Sequence, residues 1–251
     1  AEVSPTLAKL TKNPDYRLFD ILYNSLPDTH KQILTTQYRM IENIGNLISK
    51  VFYRGIIDTG CNDDEKRHGL SRYVGKSIVW FDTSANKKKS QKRTKGGSYI
   101  NEEEKRIILE ILDDLKSTGE LKGLDIGIIT GYSGQKELLR KSIKATGLDK
   151  IASKIDINTL DAFQGRENDI IIYSTVRTRD SIGFQKEKER VNVAFSRAKK
   201  LLIVCGDKNF FYNFDDQDNK FVEIIDYISE EEECEIIQCD GGKLFERESN
   251  S

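Results

Sequence analysis

The sequence predicts an α/β protein in which helices flank a mainly parallel β-sheet. Four short, almost wholly apolar runs predict strands, and they span residues 77–81, 125–130, 170–175 and 201–205. Because these runs lack the alternation of apolar and polar residues that a half-exposed strand shows, we expect both faces of the sheet to be covered. Helical patterns separate the runs, which indicates strand–helix–strand crossovers between parallel strands.

Helices are predicted where apolar residues recur at the spacing of one helix face. In the second of these patterns, Asn101 and Glu104 are spaced to cap the first turn, because their side chains can bond to free backbone N–H groups. The patterns consist of Phe19, Leu22, Tyr23 and Leu26; of Ile108, Ile111, Leu112 and Leu115; of Val191, Ala194, Phe195 and Ala198; and of Phe221, Ile224, Ile225 and Ile228.

The composition is that of a soluble globular chain rather than a disordered or fibrous one. Of the 251 residues, 37% are hydrophobic and 32% are charged. No run approaches the roughly 18 apolar residues that a membrane span needs, and no apolar run follows a basic N-terminus. We therefore expect an intracellular protein with no membrane partner, in the cytoplasm or, in a eukaryote, the nucleus. The four cysteines show no paired spacing and only two histidines accompany them, so we predict no metal site.

Charge is nearly balanced, with 40 basic and 41 acidic side chains. Nucleic-acid binding must therefore be argued from where the charges lie. Residues 86–97 are basic and contain no acid, which is typical of either a solvated flexible loop or a loop that contacts phosphates. Both interpretations stay open. The cations of this loop are Lys87, Lys88, Lys89, Lys92, Arg93 and Lys95.

A phosphate-binding loop is suggested by Gly75-Lys76-Ser77, but the segment departs from the pattern twice. Five residues separate Gly75 from the preceding glycine, Gly69, where the pattern needs four. A predicted strand follows, where such a loop should open a helix. We therefore expect no phosphate-binding loop here.

Four sequence segments occur in a fixed order, and together they are specific. They read Gln-Tyr-Arg-Met at 37–40, Thr-Gly-Tyr-Ser-Gly-Gln at 130–135, Thr-Leu-Asp-Ala-Phe-Gln-Gly-Arg-Glu at 159–167, and Arg-Val-Asn-Val-Ala-Phe-Ser-Arg-Ala-Lys at 190–199. The set resembles the second RecA-like domain of superfamily 1 helicases of the Upf-like branch, over about residues 34–207. The resemblance implies a RecA-like three-layer fold. It also implies a motor that uses ATP with Mg²⁺ and translocates 5′ to 3′ along single-stranded RNA or DNA.

Two arginines of the last segment suit phosphate chemistry. Arg190 and Arg197 are seven apart on a predicted helix and are therefore expected to share one face. A guanidinium is planar, permanently charged and able to donate in pairs to phosphate oxygens. The alternative, that these arginines only pair with nearby carboxylates, stays open from the residues alone.

The resemblance also implies a nucleotide site. Arg39 and Arg197 would approach the γ-phosphate of ATP, with Arg197 as an arginine finger and Arg190 also at the nucleotide. Tyr38 would lie near the base, unless it is a core aromatic, and Glu167 near the ribose. Ser196 stands where the family usually has Thr, a departure that keeps the hydroxyl. The turn between the base and ribose contacts would be shaped by Gln164 and Gly165.

Nucleic-acid contacts are expected at the opposite edge of the sheet. Thr159 ends one predicted strand, and Thr175 and Arg177 end the next, where hydroxyls and a guanidinium can follow a phosphate backbone. The resemblance assigns them this role. Tyr132, followed by Ser133, could stack on a base or be an ordinary loop tyrosine.

The domain prediction follows from what the chain lacks. We expect a lead-in helix region at 1–36, after a missing first motor domain, then a second RecA-like domain at 37–230. An acidic run begins the remainder, 231–251, with a possible edge strand and a tail that we expect to be disordered from Gly241.

No Mg²⁺-binding motif precedes Gln37, so we expect a first RecA-like domain in cis to supply the Mg²⁺ ligands. We predict a helicase fragment that does not hydrolyse ATP alone. The alternative is a stand-alone, non-catalytic module that binds nucleic acid. RNA and DNA are not distinguished by these residues.

Overall fold

The computed structural model describes residue 23 and residues 25–32, 34–62, 66–120, 123–148, 154–163 and 166–245. The chain divides into two units, with the boundary between Thr35 and Thr36. Within the first unit, the described residues include a 3-10 turn at Asp28–His30. Most of the helix predicted from Phe19 onward lies outside the described residues.

The second unit alternates strands with helices. Its strands are β1 (Thr36–Gln37), β2 (Asp58–Thr59), β3 (Ile78–Asp82), β4 (Lys92–Arg93), β5 (Tyr99–Ile100), β6 (Asp125–Thr130), β7 (Lys154–Thr159), β8 (Asn168–Ser174), β9 (Ala198–Gly206) and β10 (Cys234–Gln238). Its helices are α1 (Glu42–Tyr53), α2 (Glu102–Ser117), α3 (Ser133–Thr146), α4 (Lys188–Phe195), α5 (Lys208–Tyr212) and α6 (Phe221–Glu230).

Six of the strands form one sheet in the order β10-β3-β9-β8-β6-β7. Every neighbouring pair in this sheet is parallel. Trp80 of β3 lies opposite Val204 of β9 and Ile236 of β10. The predicted α/β fold class is therefore confirmed, and β10 occupies one edge of the sheet.

Apolar residues cover both faces of the sheet, which explains why the strand sequences do not alternate. Ile78 and Trp80 join the core cluster formed with α1, α4 and α6. Val79 and Phe81, which point the other way along β3, join the cluster formed with α2 and α3. The sheet between two helical layers is the three-layer arrangement of a RecA-like fold. Within the described residues, every helix is too short or too polar to cross a membrane.

The third predicted helix is shorter than the apolar spacing suggests. Helix α4 ends at Phe195 with Ser196 as its C-terminal cap, and Ala198 already belongs to β9. The backbone N–H of Asn168 donates to the carbonyl oxygen of Arg197 at 3.1 Å, which begins the pairing of β8 with β9. Strand pairing therefore ends the helix before Arg197.

Only one of the two predicted capping interactions of α2 is formed. The side chain of Asn101 accepts hydrogen bonds from the backbone N–H groups of Glu103 and Glu104, as expected. The backbone N–H of Asn101 donates to Gln135 instead of to Glu104. The Glu104 carboxylate is thereby left to bind another segment, at the end of β8.

Part of the C-terminal tail packs on the domain, which differs from the expectation of disorder from Gly241. The ring of Phe245 lies edge-on to Phe81, with centroids 6.3 Å apart, and the guanidinium of Arg72 lies 4.1 Å from the centre of the Phe245 ring. The backbone N–H of Leu244 donates to Glu110 at 2.8 Å. Burial of an aromatic ring opposes the entropy that favours a free tail.

Candidate functional site

The predicted site residues fall at two opposite edges of the sheet. Glu167 and Arg197 immediately precede β8 and β9 and so lie at the amino edge. Thr159 ends β7, and Arg177 follows β8, so these lie at the carboxyl edge. The split follows from the parallel sheet, because the amino ends of all six strands share one edge and the carboxyl ends share the other.

The turn that carries Tyr38 and Arg39 is organised by the side chain of Gln37. Its Oε1 accepts from the backbone N–H groups of Arg39 at 2.9 Å and Met40 at 2.8 Å. Its Nε2 donates to the carbonyl oxygen of Met40 at 3.0 Å and to Oγ1 of Thr59 at 2.7 Å. One amide thus ties the turn to β2 and fixes the direction in which Arg39 leaves it.

Tyr38 is 69% exposed, so it is not a core aromatic. The carbonyl oxygens of Tyr38 and Arg39 both accept from Nζ of Lys66, at 2.5 and 2.6 Å. The Tyr38 ring lies against Gly60, where a Cβ atom would come within 2.5 Å of the ring. The bonds from Lys66 therefore fix the backbone of the turn, and the contact with Gly60 fixes the exposed Tyr38 ring.

Arg39, Glu167 and Arg197 form one charged cluster at the amino edge. Nε of Arg39 donates to Oε2 of Glu167 at 2.6 Å, and its Nη1 donates to the carbonyl oxygen of Ser196 at 3.4 Å. Nε of Arg197 is buried and has no hydrogen-bond partner among the residues that the structure describes. Burial and the neighbouring Arg39 lower the pKa of Arg197, and Glu167 opposes them. The cluster therefore holds an excess positive charge and an unused donor, which suit an anion.

Arg190 does not belong to this cluster, and the expectation that it shares a helix face with Arg197 is wrong. Arg190 lies in the first turn of α4, whereas Arg197 lies beyond its end. Nε of Arg190 lies 2.8 Å from Oε2 of Glu187, and its guanidinium lies 5.2 Å from the centre of the Phe184 ring. Because α4 is the crossover between two parallel strands, its two ends lie at opposite edges of the sheet. Gln164 and Gly165 lie outside the described residues.

At the carboxyl edge, the predicted contact Thr175 is fully buried. Its Oγ1 donates to Oε1 of Glu104 at 3.1 Å, and Oγ of Ser174 donates to Oε2 at 2.6 Å. The backbone N–H of Val176 donates to both carboxylate oxygens at 2.9 Å. The Thr175 hydroxyl is therefore used inside the protein and is not presented to a ligand.

The side chain of Glu104 stabilises an unusual backbone conformation of Val176, just after the end of β8. Val176 has a φ of 68°, which is strained for a β-branched residue. Burial raises the pKa of Glu104 to about 8, and the hydrogen bonds from Ser174, Val176 and Thr175 oppose this rise. The buried carboxyl group thus fixes the direction of the chain that leads to Arg177.

Arg177 and Tyr132 are also more enclosed than predicted. The Arg177 side chain is buried, with Nε donating to the carbonyl oxygen of Ser181 at 2.8 Å, and its guanidinium lies 4.2 Å from the centre of the Tyr99 ring. Tyr132 is 4% exposed and packs between Tyr99 and Phe184, with ring centroids 5.7 and 5.4 Å away. Tyr132 therefore offers no free face to a base.

Two predicted contacts remain accessible at this edge, and sequence reasoning missed a third residue. Ser133 is exposed at the start of α3, and Thr159 is half-buried. Phe184 is 45% exposed and lines a cavity of about 620 Å³ with Tyr99, Tyr132 and Arg177. The sequence feature that could have identified Phe184 is an aromatic residue in a polar stretch between two of the recognised segments.

Gly75-Lys76-Ser77 has no phosphate-binding geometry. Nζ of Lys76 donates to the carbonyl oxygens of Glu232 at 2.8 Å and Cys234 at 3.2 Å. Ser77 is buried directly before β3, which begins one residue after the predicted start at residue 77, and a strand rather than a helix follows the segment. No group of three His, Cys, Asp or Glu side chains that could hold a metal ion occurs in the part of the chain that the structure describes.

The chain is similar to known proteins over most of its length. A family model described as an AAA domain matches residues 15–209. The chain is 31% identical to an uncharacterised ATP-dependent helicase of Methanocaldococcus jannaschii, over 94% of this chain and 35% of that protein. It is 36% identical to helicase SEN1 of Saccharomyces cerevisiae, over 69% of this chain and 8% of that protein.

A regulator of nonsense transcripts 1 homolog of Neurospora crassa is 32% identical, over 69% of this chain and 16% of that protein. The chain thus spans between 8% and 35% of the length of these relatives.

Proposed function

The chain belongs to the AAA-domain family, as the second RecA-like domain of a superfamily 1 helicase of the Upf-like branch, and on this premise we propose how it works in an ATP-dependent motor. Its amino-edge cluster receives the γ-phosphate of ATP, and its carboxyl edge binds single-stranded RNA or DNA. A first RecA-like domain in cis supplies the phosphate-binding loop and the Mg²⁺ ligands. The motor translocates 5′ to 3′, a direction that rests on the family alone.

The observation that carries the proposal is the unused donor of Arg197. A buried N–H group without a partner is destabilising by about 1 to 3 kcal/mol. Within the described part of the chain, Nε of Arg197 is in this condition, beside the guanidinium of Arg39. A phosphate oxygen relieves the cost by accepting the bond, and its charge offsets the repulsion between the two arginines.

The other residues of the cluster have separable tasks in this proposal. Bound ATP supplies the phosphoryl group that is transferred to water. Arg197 stabilises the charge that develops on this group, a contribution that is worth about 10³ to 10⁵ in rate for an arginine finger. Arg39 orients the same phosphate, and Glu167 accepts from ribose hydroxyls. The exposed Tyr38 ring provides a face for the base.

At the carboxyl edge, we assign direct contacts with the strand to Ser133 and Thr159, because their side chains are accessible. Tyr132, Thr175 and Arg177 act through the packing and hydrogen bonds that fix this edge. The hydroxyl and backbone groups found there suit phosphate contacts, which position a strand without reading its sequence. RNA and DNA therefore both fit the proposal.

The proposal is tested by ATP hydrolysis in two forms of the protein. The 251-residue chain alone is expected to show no strand-stimulated hydrolysis above that of its Arg197→Ala variant. The same chain joined in cis to a first RecA-like domain is expected to hydrolyse ATP when single-stranded nucleic acid is added.

In the joined protein, Arg197→Ala should lower kcat by about 10³ or more, and Arg197→Lys should not restore it, since Lys lacks the paired donors. Strand-stimulated ATP hydrolysis by the chain alone would contradict the proposal that the chain is only one of the two motor domains. Strand binding in the joined protein, with hydrolysis that Arg197→Ala leaves unchanged, would instead favour the non-catalytic binding module.

A further inference from the structure

The basic segment is a hairpin that carries a group of exposed cations. Residues 87–100, which we call the basic hairpin, include β4 and β5, and these two strands pair antiparallel. Its exposed cations make no ion pair within the described part of the chain, in contrast to the half-buried Lys89, whose Nζ lies 2.7 Å from Oδ2 of Asp207. The exposed cations are Lys87, Lys88, Lys92, Arg93 and Lys95.

The first arm of the basic hairpin is fixed to the segment that follows β8. The backbone N–H of Gln91 donates to Oγ1 of Thr178 at 3.1 Å, and the backbone N–H of Thr178 donates to Oε1 of Gln91 at 3.0 Å. Gln91 is 2% exposed. This reciprocal pair places the arm directly beside Arg177, at the carboxyl edge of the sheet.

The second arm is fixed to the start of α3. The backbone N–H of Gly134 donates to Oγ of Ser98 at 3.0 Å, next to the exposed Ser133. The ring of Tyr99 has the guanidinium of Arg177 at 4.2 Å and that of Arg93 at 6.0 Å from its centre. The Tyr99 ring therefore lies close to one cation of the hairpin, Arg93, and to one cation of the sheet edge, Arg177.

We propose that the basic hairpin binds the phosphate backbone of the same single strand that occupies the carboxyl edge. The inference rests on the proposed function, and it extends the strand site onto the hairpin. Charge complementarity selects a polyanion, because five exposed cations that make no ion pair within the described residues lie together on a chain whose net charge is only −1. The continuity with Arg177 and Ser133 selects a nucleic-acid strand among polyanions, since the hairpin is tied at both arms to the edge that carries these residues.

Fixed arms make the hairpin a preorganised surface rather than a flexible loop. A flexible loop would lose conformational entropy when it bound the strand, whereas an anchored hairpin has little left to lose. Each cation that neutralises a phosphate also releases a condensed counterion, so its contribution is measured by the salt dependence of binding.

The test uses the 251-residue chain, with fluorescein-labelled oligo(dT) and oligo(U) as probes. The hairpin variant carries Lys87→Gln, Lys88→Gln, Lys92→Gln, Arg93→Gln and Lys95→Gln. A matched control neutralises five exposed cations elsewhere, with Arg54→Gln, Lys116→Gln, Lys141→Gln, Lys144→Gln and Lys243→Gln. Fluorescence anisotropy gives Kd for each chain over a series of KCl concentrations, and thermal unfolding by circular dichroism confirms that each chain is folded.

The slope of log Kd against log[KCl] is expected to decrease by about 0.7 for each phosphate contact that the hairpin variant loses, or by roughly 2 for three contacts. The control set should retain the slope of the unchanged chain. An unchanged slope in the hairpin variant, or an equal decrease in the control set, would overturn the hairpin proposal alone. Failure of the unchanged chain to bind either probe, at low salt, would overturn the proposed strand site together with it.

Discussion

Arg39 and Glu167 are 128 residues apart in sequence, yet Nε of Arg39 donates to Oε2 of Glu167 at 2.6 Å. The pair joins the turn after β1 to the amino end of β8. Arg197 lies beside the pair and forms no ion pair with any described residue, although the charge of Glu167 acts on it. Both side chains of the pair are partly exposed, at 40% and 47%, so the ion pair itself contributes little to stability. The Glu167 carboxylate instead lowers the net positive charge that an anion meets at the amino-edge cluster.

Removal of the Glu167 charge is therefore expected to strengthen anion binding. Glu167→Gln leaves two guanidiniums uncompensated, and a unit charge about 6 Å away in a water-like medium is worth ~0.7 kcal/mol, or about threefold in Kd. Isothermal titration of the chain with inorganic tripolyphosphate at low salt measures this gain. ATP should gain less, because the variant also weakens the acceptor proposed for the ribose.

The opposite change provides the control for this experiment. Arg39→Gln removes one of the two cations and should weaken tripolyphosphate binding. Equal affinities for the unchanged chain and both variants would show that anions do not bind at the amino-edge cluster.

The Gln37 side chain is expected to be a major support of the turn that carries Arg39. Gln37→Ala removes four hydrogen bonds to Arg39, Met40 and Thr59. At about 0.5 to 1.5 kcal/mol each, partly replaced by water, the loss should lower the free energy of unfolding by about 2 kcal/mol in urea titrations. Gln217→Ala, at an exposed position, is the matched control and should change it by less than about 0.5 kcal/mol. A similar change in both variants would show that the Gln37 amide is not a structural clamp.

The sequence predicted the sheet well because strand burial leaves a strong local signal. Val79 and Phe81 are apolar for the same reason as Ile78 and Trp80, namely that helices cover both faces. The resemblance to superfamily 1 helicases implied that Arg39 and Glu167 belong to one site, and the structure brings these two side chains together.

The same reasoning failed where tertiary contacts override local spacing. Ala198 continues the helical pattern of Val191 and Ala194, but pairing of β8 with β9 ends α4 before it reaches Arg197. Thr175 has the right position for a strand contact, yet the buried carboxylate of Glu104, which lies 71 residues away in sequence, accepts its hydroxyl. No local pattern identifies such a partner, because the spacing in sequence carries no information about it.

Phe184 is expected to provide the stacking face that was first assigned to Tyr132. Its ring is 45% exposed in the cavity at the carboxyl edge, whereas Tyr132 is enclosed. Phe184→Ala should weaken binding of oligo(U) by about tenfold, within the roughly 1 to 3 kcal/mol of a base–aromatic stack. Fluorescence anisotropy measures the loss, and Tyr212→Ala, at an exposed aromatic on α5, is the control.

Phe184→Trp gives an independent readout of the same contact. The native Trp80 is fully buried, so a change of fluorescence on binding reports the introduced ring. Stacking should quench this fluorescence as oligo(U) is added. Unquenched fluorescence at saturating oligo(U), or equal Kd values for Phe184→Ala and the unchanged chain, would place the strand away from this ring.

Glu104 is expected to make stability depend on pH with a sign opposite to that of an ordinary paired carboxylate. Burial raises its folded pKa to about 8, above a reference value of 4.5, so the folded chain holds an extra proton between these values. The stabilising contribution is complete below about pH 4.5 and is lost as pH rises through 8.

Glu104→Gln keeps the shape of the side chain and removes the titration. Urea unfolding from pH 5 to 8.5 should therefore show the unchanged chain losing stability relative to Glu104→Gln, by about 1.4 kcal/mol for each pKa unit of the shift. Glu231→Gln, at an exposed position, should show no such pH dependence relative to the unchanged chain. A difference between the unchanged chain and Glu104→Gln that stays constant with pH would mean that the Glu104 carboxyl is ionised throughout, held in that form by the bonds from Ser174, Thr175 and Val176.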